Sequence, residues 1–280
     1  MTGSSEPTIN LDAYFGRIGY EGDRSPTLGT FRALHLAHTT HIPFENLDVL
    51  LGRPILIDLD SIQRKLVQNN RGGYCFEQNA LFAAVLERLG FQVTRLAARV
   101  RYYTSRILPR THMILKVESE NQSWIADTGF GGYGLIEPIA LVAGPETEQF
   151  AWKFRLREES ENWILQSVMR GNWQDQFSFT LEPQLPVDYI LGNWFCSTHP
   201  ESKFVQTLTA QLAGRTERHV LRNREHLIIT PECERCELIT SEEALLELLA
   251  NSFGLRIPAG TSFKPTKDAE LNSPRVVNTR

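Results

Sequence analysis

Long apolar runs are missing from this chain: nowhere do enough consecutive apolar residues occur to span a bilayer. The opening residues, MTGSSEPTINLDAYF, lack the basic start and apolar stretch of a secretory signal. A cytoplasmic setting with no membrane partner is therefore expected. Charge of one sign is also scarce, with 29 Lys and Arg against 33 Asp and Glu. A net charge of −4 gives no electrostatic reason to expect nucleic acid as a partner. Cysteine is sparse too: Cys75, Cys196, Cys233 and Cys236 are too few to staple 280 residues through disulfides. Each must be a buried thiol, a ligand or a nucleophile. No internal repeat or long low-complexity tract occurs, and the 41% of hydrophobic residues is enough for an ordinary buried core.

The apolar pattern changes character along the chain, dividing it into three expected regions, 1–90, 91–190 and 191–280. In the first, the spacing is helical. A helix around Leu28 to Thr39 has a threonine and a glycine at its start, SIQRKLVQNN opens on Ser61 as a predicted N-cap, and CFEQNALFAAVLERLG is stopped by Gly90. In the second, alternation and β-branched residues mark FQVTRLAARVRYY, HMILKVES, QSWIADTG, NWILQSVM and QDQFSFTLE as strands of a sheet or small barrel. The third is mixed, with short strands near FVQTLTAQLA and HLIIT, then a helix in SEEALLELLANSFG that opens on Ser241 with Glu242 and Glu243 in its first turn. The tail beyond Pro258 reads as a loosely packed extension.

Cys75 follows Arg71, Gly72, Gly73 and Tyr74, a glycine pair that permits unusual backbone angles, and it leads into the third predicted helix. A thiol at a helix N-terminus meets unpaired N–H groups and the positive end of the dipole, which lower a cysteine pKa from about 8.5 toward roughly 3.5–7.5. The same N–H groups can receive the oxyanion formed when a thioester carbonyl is attacked. A lone cysteine beside an apolar helix is ordinarily a small core residue, so a nucleophile needs a base and a group that orients the base. His112, at the start of HMILKVES, is the candidate base. Asp127 ends the next predicted strand, and adjacent antiparallel strands bring it beside His112.

RGGYCFEQN at 71–79 resembles the cysteine signature of the arylamine N-acetyltransferases, and the His112 and Asp127 segments are similar to their matching blocks, in the same Cys, His, Asp order. HIPFENLDVLLGRPI, IADTGFGG and CSTHPESKF extend the similarity over about residues 40–205. The resemblance implies an α+β fold: a helical N-terminal domain, a central β-barrel and a C-terminal α/β lid, with a papain-like triad shared between the first two. It implies acetyl-coenzyme A as donor and an arylamine, arylhydrazine or arylhydroxylamine as acceptor, joined by a ping-pong route through acetyl-Cys75. Phe44 and Phe130 resemble positions that wall the acceptor pocket. Thr111, Gly129, Gly131 and Phe204 are the expected coenzyme A contacts. Gln78 departs from the commonest family version, which has an apolar residue there.

Other features compete with this reading. His35, His38 and His41 recur every three residues but lack acidic or cysteine partners, so a partly exposed helix face is expected rather than a metal site. Cys233 and Cys236 form a CxxC pair with His226 as the one nearby ligand, and a zinc-organised binding module would rest on them. A surface thiol pair is expected instead. Cys196 reads as a buried or lid-contact thiol, and Glu45 as a buried organiser rather than an acid catalyst. With the same triad, an amide synthase or a thioester hydrolase is the alternative within enzymes.

Overall fold

A computed structural model describes residues 8–102, 104 and 106–263. Helices α1 (Leu11–Ile18) and α2 (Leu28–His41) start where Asn10 and Thr27 accept hydrogen bonds from the N–H groups of Ala13 and Thr30. A two-residue strand, β1 (Phe44–Glu45), and the single turns α3 (Leu47–Leu50) and α4 (Leu59–Ile62) follow. The cap of α4 is Asp58, whose carboxylate accepts from the Ser61 N–H, so the predicted cap at Ser61 sits three residues too late. The acidic side chain is an equally good cap and also favours the dipole. The turn runs on into a π-helical stretch, Gln63–Gln68.

α5 (Cys75–Arg88) ends ahead of Gly90, which has φ 96°, so the expected stop holds. Its buried Phe76, Leu81, Phe82, Val85 and Leu86 pack with Phe31, Leu34 and Leu66. At about 1.5–3 kcal/mol for each large apolar side chain, this burial anchors the helix far more firmly than propensity does.

The middle of the chain forms an eight-stranded antiparallel sheet from β2 (Gln92–Val100), β3 (His112–Ser119), β4 (Gln122–Ala126), β5 (Ile139–Ala140), β6 (Glu146–Gln149), β7 (Trp152–Glu159), β8 (Asn162–Met169) and β9 (Asn172–Pro183). The order is β5-β4-β3-β2-β9-β8-β7-β6. Just past β5, Ala143 bridges to Leu156 of β7 and Gly144 N–H donates to the Leu156 carbonyl at 2.8 Å, which curls the sheet into a nearly closed barrel. Leu96, Ile114, Ile125, Phe154, Leu165 and Phe177 fill its interior.

The last region holds α6 (Tyr189–Thr198), α7 (Lys203–Gln206), β10 (Thr209–Leu212), β11 (Arg218–Arg222), β12 (Glu225–Ile229), β13 (Glu234–Leu238) and α8 (Glu242–Phe253). Its sheet runs β1-β10-β11-β12-β13, so the early Phe44–Glu45 segment forms one edge, with Phe44 opposite Gln211. The strand expected near FVQTLTAQLA is confined to Thr209–Leu212, because Ser202 caps a helical turn over the preceding residues by accepting from Phe204 N–H. α8 begins on Ser241 as expected and packs Leu245, Leu249 and Phe253 on Leu208, Ala210 and Leu221. Helices, barrel and α/β region together give the expected α+β class. Among the described residues no helix is long and apolar enough to cross a membrane. Most of the tail expected beyond Pro258 lies outside the described residues.

Candidate active site

Cys75 is the first residue of α5 and is buried. The glycine pair before it serves close packing rather than unusual angles, since neither residue has a positive φ. A Cβ on Gly72 would strike the Pro43 carbonyl, and one on Gly73 the Glu77 carboxylate. That carboxylate accepts from the Tyr74 N–H at 3.0 Å and from Lys65 at 2.7 Å. Alongside, Arg71 binds the buried Glu45 at 2.7 Å and Asp48 at 3.2 Å. Glu45 also accepts from the Leu47 N–H, the organising role expected of it. The start of α5 is therefore locked to the PFEN segment.

Pairing of β3 with β4 sets Leu115 opposite Ala126, which carries His112 and Asp127 to the same end of the barrel. There His112 Nε2 lies 2.7 Å from Asp127 Oδ2, with both side chains almost fully buried. The other ring nitrogen, Nδ1, is the one left for Cys75, and His112 and Cys75 each shift the pKa of the other. Asp127 Oδ1 accepts from Asn79 Nδ2 at 2.9 Å and from the Gly129 N–H at 3.0 Å. Asn79, one turn along α5 from Cys75, also donates to the Met113 carbonyl at 2.7 Å, joining helix and barrel.

Burial favours a neutral imidazole, but the charge and hydrogen bond of Asp127, with help from Cys75, reverse this and push His112 up to about 10. For Cys75, burial pushes the thiol up while His112 pulls it down. Burial thus opposes the lowering expected from the helix terminus, and His112 acts in the same direction as that terminus. The imidazolium is what makes a thiolate attainable, and the two groups titrate as a pair.

Two aromatic groups border this pair. Phe130 lies edge-on to His112 at 5.2 Å between ring centroids and 5.4 Å from Phe177, which itself sits 5.1 Å from His112. Phe44 packs on Phe204 at 5.8 Å, and Phe204 on Tyr74 at 5.6 Å. The Thr111 carbonyl oxygen is 3.6 Å from Cys75 Sγ and 3.9 Å from Cys196 Sγ, so Cys196 is a buried thiol of α6 beside the nucleophile candidate. Gly129 meets α5 directly: a Cβ there would stand 2.6 Å from the Cys75 Cα. Gly131, at φ 80°, packs against Gln211 and Phe44.

The N-acetyltransferase family matches residues 27–261. An arylamine N-acetyltransferase of Mycolicibacterium smegmatis is 38% identical over 253 residues, covering 88% of this chain and 92% of that protein. One from Escherichia coli K12 is 46% identical over 195 residues, 69% of each chain. The chain belongs to the arylamine N-acetyltransferase family. In three dimensions it is similar to the arylamine N-acetyltransferase of Mycobacterium marinum solved in complex with CoA, at 34% identity and a TM-score of 0.84, covering 88% of this chain and 92% of that one.

In this acetyltransferase the histidine triplet departs from expectation. His35 and His38 are fully buried, and only His41 is exposed. His35 Nδ1–H donates to the Ile136 carbonyl at 2.9 Å while Nε2 accepts from the Asp127 N–H at 3.1 Å. His38 Nε2–H donates to Gln78 Oε1 at 2.8 Å, and Nδ1 accepts from the Tyr14 hydroxyl at 2.9 Å. Gln78 then donates to the Pro43 and Gly73 carbonyls, which accounts for a polar side chain at that position. Among the described residues no group of three or more His, Cys, Asp or Glu side chains could hold a metal ion. Cys233 and Cys236 are exposed while His226 is buried, so the candidate zinc ligands are not gathered. Asn79, His35 and Phe177 were not among the expected site residues. A hint lies only in Asn79, one helical turn from Cys75.

Both histidines must be neutral to make these bonds, and burial lowers His35 to about 4 and His38 to about 3. Their folded pKa values lie below the ordinary 6.5, so the unfolded chain binds more protons below that pH. Their stabilisation is complete above about 6.5 and is lost as pH falls toward 4. Urea unfolding at pH 6.5, 5.5 and 4.5 should show a decline approaching ~1.4 kcal/mol per unit for each histidine. His38→Gln should flatten that slope by about one proton, and an unchanged slope would refute the assignment.

Proposed function

We propose that this enzyme transfers acetyl groups from acetyl-coenzyme A to small aromatic amines, hydrazines or hydroxylamines by a ping-pong route through acetyl-Cys75. The observation that carries the reading is the buried His112–Asp127 pair at 2.7 Å beside the Cys75 thiol at the start of α5. The Cys75 thiolate attacks the acetyl carbonyl, forming a new C–S bond, and the bond to the coenzyme A sulfur breaks as His112 supplies the proton. The acceptor nitrogen then attacks acetyl-Cys75. His112 takes the amine proton, the C–S bond breaks and the thiolate returns. Asp127 keeps its charge throughout and holds Nε2–H, leaving Nδ1 for the thiol. Phe44 and Phe130 supply flat apolar walls for an aromatic ring. Thr111, Gly131 and Phe204 are the proposed contacts for the thioester arm, with Gly129 giving the close backbone approach. The CoA complex of the Mycobacterium marinum relative supports this donor.

Mixing the enzyme with acetyl-coenzyme A and no acceptor should release about one equivalent of coenzyme A in a burst. Peptide mass analysis should then find the acetyl group on Cys75. Acetyl label on Cys196, or no label until an acceptor is added, would refute the route.

A further inference from the structure

Arg218 is the largest fully buried side chain, yet no carboxylate pairs with it among the described residues. A guanidinium in such a place costs several kcal/mol of desolvation unless its donors are satisfied. Its Nη1 donates to the Gly132 carbonyl, its Nη2 to the Gly134 carbonyl at 3.1 Å, and its charge lies 4.1 Å from the Trp152 ring centroid. From the neighbouring strand, Gln211 Oε1 accepts the Gly132 N–H. Both residues belong to β11 and β10, while the groups they hold belong to the loop that leaves Asp127.

That loop is closed at its neck by His35, which bonds Asp127 N–H at one end and the Ile136 carbonyl at the other. Gln149 adds a second hold by accepting from the Ile136 and Glu137 N–H groups. Neither reaches the middle of the loop, where Phe130 stands against His112 and Phe177. Among the described residues, Arg218 and Gln211 are the side chains that grip the backbone there, at Gly132 and Gly134. A small cavity bounded by Phe44, Asp127, Phe130, Gly131, Gly134 and Gln211 lies between the loop and the β10 edge. Loosening the grip would let the loop settle into that space and carry the Phe130 ring with it.

We propose that Arg218 and Gln211 are positioning residues that set acceptor specificity, by clamping the 127–136 loop so that Phe130 stands at a fixed distance from the reacting thiol. They act through Phe130, by way of the Gly132 and Gly134 backbone. The planar fork of arginine suits the task because it reaches two carbonyls at once, which a lysine ammonium on a flexible stem does not. The assignment rests on the acetyl-transfer reading for the word acceptor, but the clamp itself is a statement about the loop.

Gln211→Ala, at a partly exposed position that tolerates truncation, removes the partner of Gly132 N–H, while Gln211→Glu keeps an accepting oxygen. Deuterium exchange of a peptide spanning Gly129 to Leu135 should quicken roughly tenfold in Gln211→Ala and return toward wild type in Gln211→Glu. With anilines graded in size at the para position, the KM ratio of largest to smallest should shift by about fivefold or more in Gln211→Ala. Cys75 acetylation by acetyl-coenzyme A should stay within about twofold of wild type. Arg218→Lys should follow Gln211→Ala in both exchange and KM ratio. Unchanged exchange, or faster exchange with an unchanged KM ratio, would overturn the clamp. Failure of wild type to acetylate would instead sink the proposed reaction, and the exchange comparison would still judge whether the loop is held.

Discussion

Cys75→Ser is expected to lose acetyl transfer by roughly 10^4-fold or more, equivalent to about 5.5 kcal/mol of barrier, although a hydroxyl replaces the thiol with little change in shape. His112 explains why the loss is so large. Asp127 and Cys75 hold the ring up to about 10, so a proton that leaves the thiol is kept on the imidazole as the imidazolium. A thiol can give up its proton beside such an imidazolium because a thiolate is only moderately basic. A serine alkoxide is far more basic and takes that proton back from the imidazolium, leaving a neutral hydroxyl. Stopped-flow release of coenzyme A, together with mass analysis of the variant, measures this directly. A burst of wild-type size in Cys75→Ser would remove Cys75 from the chemistry. Thermal unfolding should remain near wild type, since burying an oxygen where sulfur stood leaves the Thr111 carbonyl available as acceptor.

The residues that form local elements were legible in the sequence, while those that join distant elements were not. HMILKVES and NWILQSVM coincide with β3 and β8 end to end, because β-branched and aromatic residues at period two leave little ambiguity. β7 carries the same alternation, with Trp152, Phe154 and Leu156 inward, but Lys153, Arg155 and Arg157 on the outer face make WKFRLREE read as a charged segment. β1 is two residues long, too short for any period, and only its pairing with β10 makes it a strand. The same limit governs the site. Cys75, His112 and Asp127 could be named from a helix start and two adjacent strands. His35 could not, because its partners Asp127 and Ile136 lie far along the chain and its spacing with His38 and His41 mimics a solvated face. Arg218 in RHVLR looks like an outward charge until the loop that needs it is folded against it.

Asp127→Asn should keep the barrel folded yet slow acetyl transfer by roughly 10^3–10^4-fold, through the thiol's ionisation rather than its position. An asparagine can still accept from the Gly129 N–H and stay beside Asn79, so the loop retains its anchor at His35. What it lacks is charge. The largest influence that raises His112 against burial then disappears, and the ring falls back toward its neutral form. A neutral ring offers the Cys75 thiolate no positive charge to pair with, so burial dominates and the thiol moves further up. The sign is fixed by these two causes: wild-type Cys75 must ionise at lower pH than the variant does. Alkylation by iodoacetamide across pH 5–10 reads this as the midpoint of the rate, and the variant midpoint should lie higher by at least about one unit, or ~1.4 kcal/mol. Asp127→Asn should also remove the stabilisation that His112 contributes. That contribution is fully present below about pH 6.5 and is lost as pH rises through 10, so wild type and variant should differ most in stability at mildly acidic pH and converge in alkali. A folded variant with an unshifted alkylation midpoint and undiminished transfer would reduce Asp127 to a strand-end anchor, leaving Cys75 and His112 to act as a pair.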